Sequence, residues 1–262
     1  MSKVQAGPFS LEYFDAGEGD RVMMLLHGAT SSGRIWHSVQ SELAKQGVRS
    51  IALSLLGAGG SDRSEHEADY HPESYAKQLA DAVDALELSQ FTLVGHSLGT
   101  IVAAYYARDH AERLEALVQM AGPPIISELP KSGSAAKIRV RDPNSPEVQA
   151  RWEEQHLGLP TEVRERLRRD IDSNPPERPK GQRPPWKGID DVAEKLTVPT
   201  LVIGGDADDI VHPQYPLQYY LTLPEEIRHL QVFHGVGHFL NGQIPDRLAS
   251  VFVRFLTDHV NA

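Results

Sequence analysis

The segment Gly95-His96-Ser97-Leu98-Gly99 sets one serine between two glycines in a G-x-S-x-G pattern. Its flanks give the pattern meaning. The apolar run 91–94 (FTLV) before it reads as a strand, and 100–109 after it reads as a helix. A serine on such a sharp strand-to-helix turn holds its hydroxyl above the sheet, and the helix N-terminus beside it favours negative charge. A serine is a weak nucleophile at neutral pH and needs a base. Among the twelve histidines, His238 lies in the segment GVGHF (235–239), after the last predicted strand and before the last predicted helix. His234 falls at the strand end, where a structural role fits, and His96 is expected to pack inside the turn. Gly235 and Gly237 between His234 and His238 argue against a helical metal pair, so no metal and no cofactor is expected. A carboxylate must orient the imidazole. It should follow the run 199–203 (PTLVI), where Asp206, Asp208 and Asp209 compete. An oxyanion site needs two backbone N–H donors: Leu98, directly after the serine, and a residue of the loop His27-Gly28-Ala29-Thr30 that follows 22–26 (VMMLL).

These residues need a scaffold, and the rest of the chain has the pattern of one. Runs 22–26, 50–53, 91–94, 114–120, 199–203 and 230–233 are short and nearly continuous in apolar residues, as buried parallel strands are. Helical periodicity separates them: Tyr75, Leu79, Val83 and Leu86 recur in 71–88 behind Pro72, and Leu248, Val251, Phe252 and Phe255 recur near the end. Alternation of this kind predicts a parallel sheet covered by helices on both faces, with 9–14 adding an edge hairpin.

One stretch breaks the rhythm. Residues 127–190 show no strand pattern, hold 9 of the 18 prolines and 13 of the 26 basic residues, and carry net +2 while the remainder carries −12. Two helices are predicted there. One starts at Ser145-Pro146 with Val148, Trp152 and Leu157 on its apolar face; the other follows Pro160 with Val163, Leu167 and Ile171 as a stripe. Glu162–Arg166 and Glu165–Arg169 are spaced for ion pairs on the opposite side.

Composition narrows the function. The 262 residues contain no cysteine, which removes disulfide scaffolds, thiolate metal sites and thiol catalysis. A net charge of −10 repels phosphate backbones, so no nucleic-acid partner is expected. No apolar run approaches the roughly 20 residues of a membrane span, and the first fourteen residues do not form a secretory signal, so no membrane partner and a cytoplasmic location are expected.

Four motifs in order, LLHG at 25–28, LLGAGGSD at 55–62, GHSLG at 95–99, and GDADDIVHP at 205–213 followed by GVGH at 235–238, carry a resemblance. The chain resembles the α/β-hydrolase superfamily, in the branch of small bacterial esterases, lactonases and carbon–carbon bond hydrolases. The resemblance implies a mostly parallel sheet of about eight strands, with a helical cap inserted after the sixth. It divides the chain into a core, 1–126 with 191–262, and a cap, 127–190. It places the triad acid on Asp208, the second aspartate of its motif, the base on His238, and the second oxyanion N–H on Ala29. It implies hydrolysis of a small-molecule ester or lactone through an acyl-enzyme on Ser97, by a monomer or homodimer. Carbon–carbon cleavage, acyl transfer, or a slow-hydrolysing receptor would use the same residues. Trp36, Ile125, Trp152, Leu167, Trp186 and Phe239 are the expected substrate contacts. One departure stands out: the family usually carries Asp three residues before the first glycine of the 57–62 turn, and here that residue is Ser54. A serine nucleophile argues against epoxide hydrolases and dehalogenases of the same fold. The last position of a G-x-G-x-x-G reading at 57–62 is Asp62, so no dinucleotide site is expected.

Overall fold

A computed structural model of the chain describes residues 2–122, 150, 152, 153, 155, 156 and 158–260. Eight strands form one sheet: β1 (Ser2–Ala6), β2 (Phe9–Ala16), β3 (Val22–Leu26), β4 (Arg49–Leu53), β5 (Phe91–His96), β6 (Leu114–Met120), β7 (Thr200–Gly205) and β8 (Arg228–Phe233). Their spatial order is β1-β2-β4-β3-β5-β6-β7-β8. The β1–β2 hairpin and the β2–β4 pair are antiparallel, and every other neighbouring pair is parallel. The order reverses at β3, so the C-terminal ends of β3 and β5 flank the crevice where open α/β sheets bind ligands.

Alternation along each strand splits the core in two. Met24 and Leu26 of β3 face one cluster, shared with α2 (Pro72–Ala85) and α3 (Leu98–His110). Met23 and Leu25 face the other, shared with α1 (His37–Ala44) and the C-terminal helix Pro245–His259. α2 begins where His71 accepts the Glu73 N–H and Pro72 occupies the first turn, a position where its missing N–H costs nothing.

After β6 the described chain resumes in the insertion. Helix α4 (Thr161–Asp172) buries Val163 and Leu167 in the second cluster, and α5 (Arg178–Gly181) follows. The first predicted helix of this stretch falls mainly outside the described residues, Val148 and Leu157 included; residues 150, 152, 153 and 155 are helical. Of the two ion pairs expected on α4, Glu165–Arg169 spans 4.0 Å, whereas Arg166 donates to the Arg34 carbonyl at 2.9 Å instead of pairing with Glu162. A firm contact to the core outweighs an exposed i,i+4 pair of about 0.3–0.5 kcal/mol.

α6 (Val192–Lys195), α7 (Gln214–Thr222), α8 (Leu240–Gln243) and α9 (Pro245–His259) complete the fold. No described helix is long and apolar enough to cross a membrane.

The missing aspartate of the 57–62 turn is replaced from a neighbouring strand. Glu12 of β2 is fully buried; its carboxylate accepts from the Ser54 hydroxyl at 3.1 Å and from the Gly60 N–H at 3.0 Å, and pairs with Arg34 at 2.7 Å. Ser54 in turn accepts the Gly33 N–H at 3.0 Å. A short hydroxyl at 54 leaves room for a longer carboxylate at 12, and the turn is held from β2. Removing one partner of a buried, hydrogen-bonded charge costs about 3–5 kcal/mol. Glu12→Ala is therefore expected to lower the unfolding free energy from urea titration by that amount and to lower the midpoint accordingly, with Ser54→Asp restoring part of the loss in the double variant. A midpoint unchanged by Glu12→Ala would show that the turn stands without it.

Candidate active site

The serine turn is set by close backbone approach. Ser97 has φ 53° and ψ −120°, a left-handed conformation costly for a residue with a side chain. Its N–H donates to the Met120 carbonyl at 2.9 Å, and its carbonyl accepts from the Thr100 N–H and hydroxyl at 2.9 and 2.6 Å. A Cβ at Gly95 would meet the Gly99 carbonyl oxygen at 2.5 Å, and one at Gly99 would meet the Leu26 carbonyl oxygen at 2.9 Å. Glycine is required at both places because strand, turn and the end of β3 touch through their backbones. Ser97 itself stays half-buried, with its side chain free of any capping bond.

Behind it stand two buried imidazoles. His27 Nε2 accepts the Leu55 N–H at 3.0 Å, so its proton lies on Nδ1 and is donated to the Gly28 carbonyl at 2.7 Å. This ties the 27–30 loop to the turn after β4. A Cβ on Gly28 would lie 3.1 Å from the Ser97 Cβ, so that loop borders the serine, with Ala29 half-buried beside it and Leu98 opening α3. His96 donates Nε2–H to the His238 carbonyl at 2.9 Å and thereby anchors the loop that carries the expected base. Burial, with the nearby Arg178 charge for His27 and His238 for His96, pushes both down to about 3.

Both rings are thus neutral in the fold and bind protons readily once unfolded. The folded value lies below the ordinary 6.5, so the unfolded state takes up more protons between the two. Stability is fully present above pH 6.5 and falls as pH drops toward 3, by about 1.4 kcal/mol per ring for each pH unit well inside that window. Melting temperatures measured from pH 7.5 to 4.5 should decline, and His27→Gln should flatten the slope; a level profile would contradict neutral burial of these rings.

The loops after β7 and β8 supply the remaining pair. His238 Nδ1 lies 2.8 Å from Asp208 Oδ2, with side chains only 4% and 2% exposed. The other Asp208 oxygen accepts from the Ile210 and Val211 N–H groups at 2.9 and 2.8 Å. With a carboxylate on Nδ1, the His238 proton sits there and Nε2 keeps its lone pair. Asp206 instead meets His234 Nδ1 at 2.8 Å and the Gly235 N–H at 2.7 Å; His234 is 98% exposed, and this bond holds the Asp206 carboxyl below the usual carboxylate range. Asp209 is exposed. Of the three competing aspartates, Asp208 alone meets His238.

The expected substrate contacts divide. Phe239 sits edge-on to His238, with ring centroids 5.3 Å apart, and half-buried Trp152 reaches it through His156, which stacks on Trp152 at 3.6 Å and on Phe239 at 4.7 Å. Trp36 is fully buried in the second cluster, edge-on to His96 at 6.4 Å, and serves as packing behind the serine turn rather than as a substrate contact. Leu167 is likewise core, buried in the second cluster with Leu159 and Val163 instead of lining a cavity, and a Cβ on Gly242 of α8 would meet Leu159 at 2.7 Å and Val163 at 3.3 Å. Trp186 packs against the first cluster and donates to the Gln182 carbonyl at 3.2 Å, away from Trp152 and Phe239 in the second. Ile125 lies outside the described residues. Sequence reasoning missed His156, which is buried against Phe239; its spacing of four from Trp152 was the available signal.

A family model described as "alpha/beta hydrolase fold" matches residues 21–243. The chain is 28% identical to 2-hydroxymuconate semialdehyde hydrolase of Pseudomonas sp. (strain CF600), over 93% of this chain and 89% of that protein. A thermophilic esterase from Thermogutta terrifontis superposes with a TM-score of 0.78 at 26% identity, covering 100% of this chain and 99% of the other. An esterase from Exiguobacterium antarcticum superposes at 0.85 with 19% identity, covering 98% and 99%, a likeness of fold.

Proposed function

Because the chain belongs to the alpha/beta hydrolase family, we propose that it is a serine hydrolase of small carboxylic esters or lactones that works without a cofactor. The observation that carries the reading is the buried Asp208–His238 pair, 2.8 Å apart and hung by His96 beside the strained Ser97 turn. In this mechanism His238 Nε2 takes the Ser97 hydroxyl proton as Oγ attacks the substrate carbonyl carbon. Asp208 stabilises the imidazolium without being protonated. The Ala29 and Leu98 N–H groups receive the oxyanion. His238 then gives its proton to the departing alcohol, leaving an acyl group on Ser97. A water, deprotonated by His238, attacks that acyl group, and as the bond to Ser97 Oγ breaks His238 returns the proton to Oγ and the acid leaves. The insertion 127–190 acts as the cap over the strand ends, and its seam to the core is the packing of Leu159 and Val163 against Gly242 of α8.

A second reading, carbon–carbon bond hydrolysis of a vinylogous diketone acid, is favoured by the similarity to the semialdehyde hydrolase over nearly the whole chain. The same residues would serve. One panel separates the two: p-nitrophenyl esters of increasing chain length, lactones, and a vinylogous diketone acid, each with wild type and Ser97→Ala. Turnover of esters or lactones that vanishes in the variant supports the first reading; turnover confined to the diketone acid replaces it with the second.

A further inference from the structure

The 27–30 loop, whose Ala29 N–H is read above as an oxyanion donor, runs straight into the segment 31–34, and side chains of the insertion grip that segment. The Ser32 hydroxyl donates to Asp170 Oδ2 of α4 at 2.7 Å, with both residues buried. One turn earlier on the same helix face, Arg166 donates to the Arg34 carbonyl at 2.9 Å. From α5, the fully buried Arg178 donates to the Ser31 carbonyl at 3.4 Å, and its other nitrogens donate to the Tyr75 hydroxyl and the Asn174 side chain.

The core holds the same segment at its far end, where the Gly33 N–H donates to Ser54 and Arg34 pairs with Glu12. Nearer the loop the division changes. Ser31 and Ser32 are buried, and among the described residues the hydrogen bonds that reach them from distant parts of the chain come from Arg178 and Asp170. Their remaining bonds are local: the Ser31 N–H closes a turn on the Gly28 carbonyl at 3.4 Å, and the Ser32 carbonyl accepts from the Ile35 N–H at 3.1 Å. Thr30 is exposed. Ala29 therefore lies between a loop root tied by His27 to Leu55 and a pair of serines tied by the insertion. An oxyanion donor is effective only if it is held in place before the charge develops, to within about 0.5 Å and 10–20°.

We propose that Asp170 is a positioning residue for the oxyanion site: its bond to Ser32, backed by Arg178 on Ser31 and Arg166 on Arg34, sets the place of the Ala29 N–H. This rests on the hydrolase reading above and gives the insertion a part in the chemistry besides covering the strand ends. A donor that drifts from its place weakens the transition state more than the bound ester, because charge gathers on the carbonyl oxygen only as Ser97 attacks. The loss therefore falls on kcat and leaves KM nearly alone.

The test compares wild type, Asp170→Ala, Ser32→Ala and Asp170→Asn in three measurements. These are kinetics on p-nitrophenyl butyrate, inhibition by butylboronic acid, and amide hydrogen exchange of the segment 27–34. The boronate forms a tetrahedral adduct on the serine and presents an oxygen to the oxyanion site. Asp170→Ala and Ser32→Ala remove one bond from its two ends. Each should lower kcat by about tenfold with KM within about twofold, and raise the boronate Ki by a like factor. That is less than the roughly 10²–10³ lost when a donor is deleted outright. Exchange in 27–34 should quicken in both, while exchange around Ser97 stays as in wild type. Asp170→Asn, whose amide oxygen still accepts the Ser32 hydroxyl, should stay within about threefold of wild type in every measurement. Ser32→Ala deletes a single oxygen and decides the question if Asp170→Ala does not fold. Lowered stability with kcat and Ki unchanged overturns the proposal in favour of simple packing, and so does faster exchange with unchanged kinetics. No ester turnover by wild type removes the hydrolase reading and this one together; wild-type turnover that both alanine variants retain removes this one alone.

Discussion

Replacing Ser97 by Ala is expected to lower kcat by on the order of 10⁶, a loss near 8 kcal/mol of transition-state stabilisation. The size follows from what remains. The Ala29 and Leu98 N–H groups and the buried Asp208–His238 pair are untouched, but nothing is left to form the acyl bond, so only binding and oxyanion stabilisation act on a water attack. Stability should hardly move, because the Ser97 side chain makes no capping bond and the turn is held by backbone contacts to Met120 and Thr100. Alanine bears the same positive φ with a Cβ of the same kind. A fluorophosphonate probe should label wild type at Ser97 and leave the variant unlabelled. Activity retained in Ser97→Ala, or labelling at another serine, would reject the nucleophile assignment.

What the chain revealed before its structure was what short range controls. The bounds of β3 coincide with the apolar run 22–26, because a strand buried on both faces has no polar interruption to blur its ends, and β6 keeps the bounds 114–120 although Glu115 and Gln119 interrupt it. The serine turn was legible because glycine at 95 and 99 answers a local steric demand. The parts that escaped are made by long-range contact. Ser54 looked like a loss, since the carboxylate that replaces the family aspartate comes from residue 12, in another strand. Trp36 and Leu167 share hydrophobicity with pocket residues, and composition cannot say whether such a side chain faces a cavity or a neighbour; here they face neighbours. His156 reads as one more polar residue in a charged insertion until Phe239 is folded against it.

Asp208→Asn is expected to cost about 10⁴ in kcat, and the hydrogen bonds explain why so small a change is so damaging. One carboxylate oxygen is already committed to two donors, the N–H groups of Ile210 and Val211. In the asparagine variant the amide oxygen must stay there, because an NH2 group in that place would face two N–H donors. The amide NH2 is then turned toward His238, where the carboxylate oxygen had been 2.8 Å from Nδ1. A donor at that position demands an acceptor at Nδ1, so the imidazole proton moves to Nε2. His238 then presents an N–H to Ser97 where a lone pair is needed, and the serine loses its base with every heavy atom in place. KM should change little, since substrate contacts are not altered. Asp206→Asn and Asp209→Asn lack this consequence: the first loosens an exposed contact to His234, and the second changes an exposed side chain, so both should stay within about threefold of wild type. Steady-state kinetics of the three variants on one ester decide the matter. A collapse in Asp206→Asn or Asp209→Asn with activity retained in Asp208→Asn would show that the acid of the site has been misplaced along the 205–213 loop.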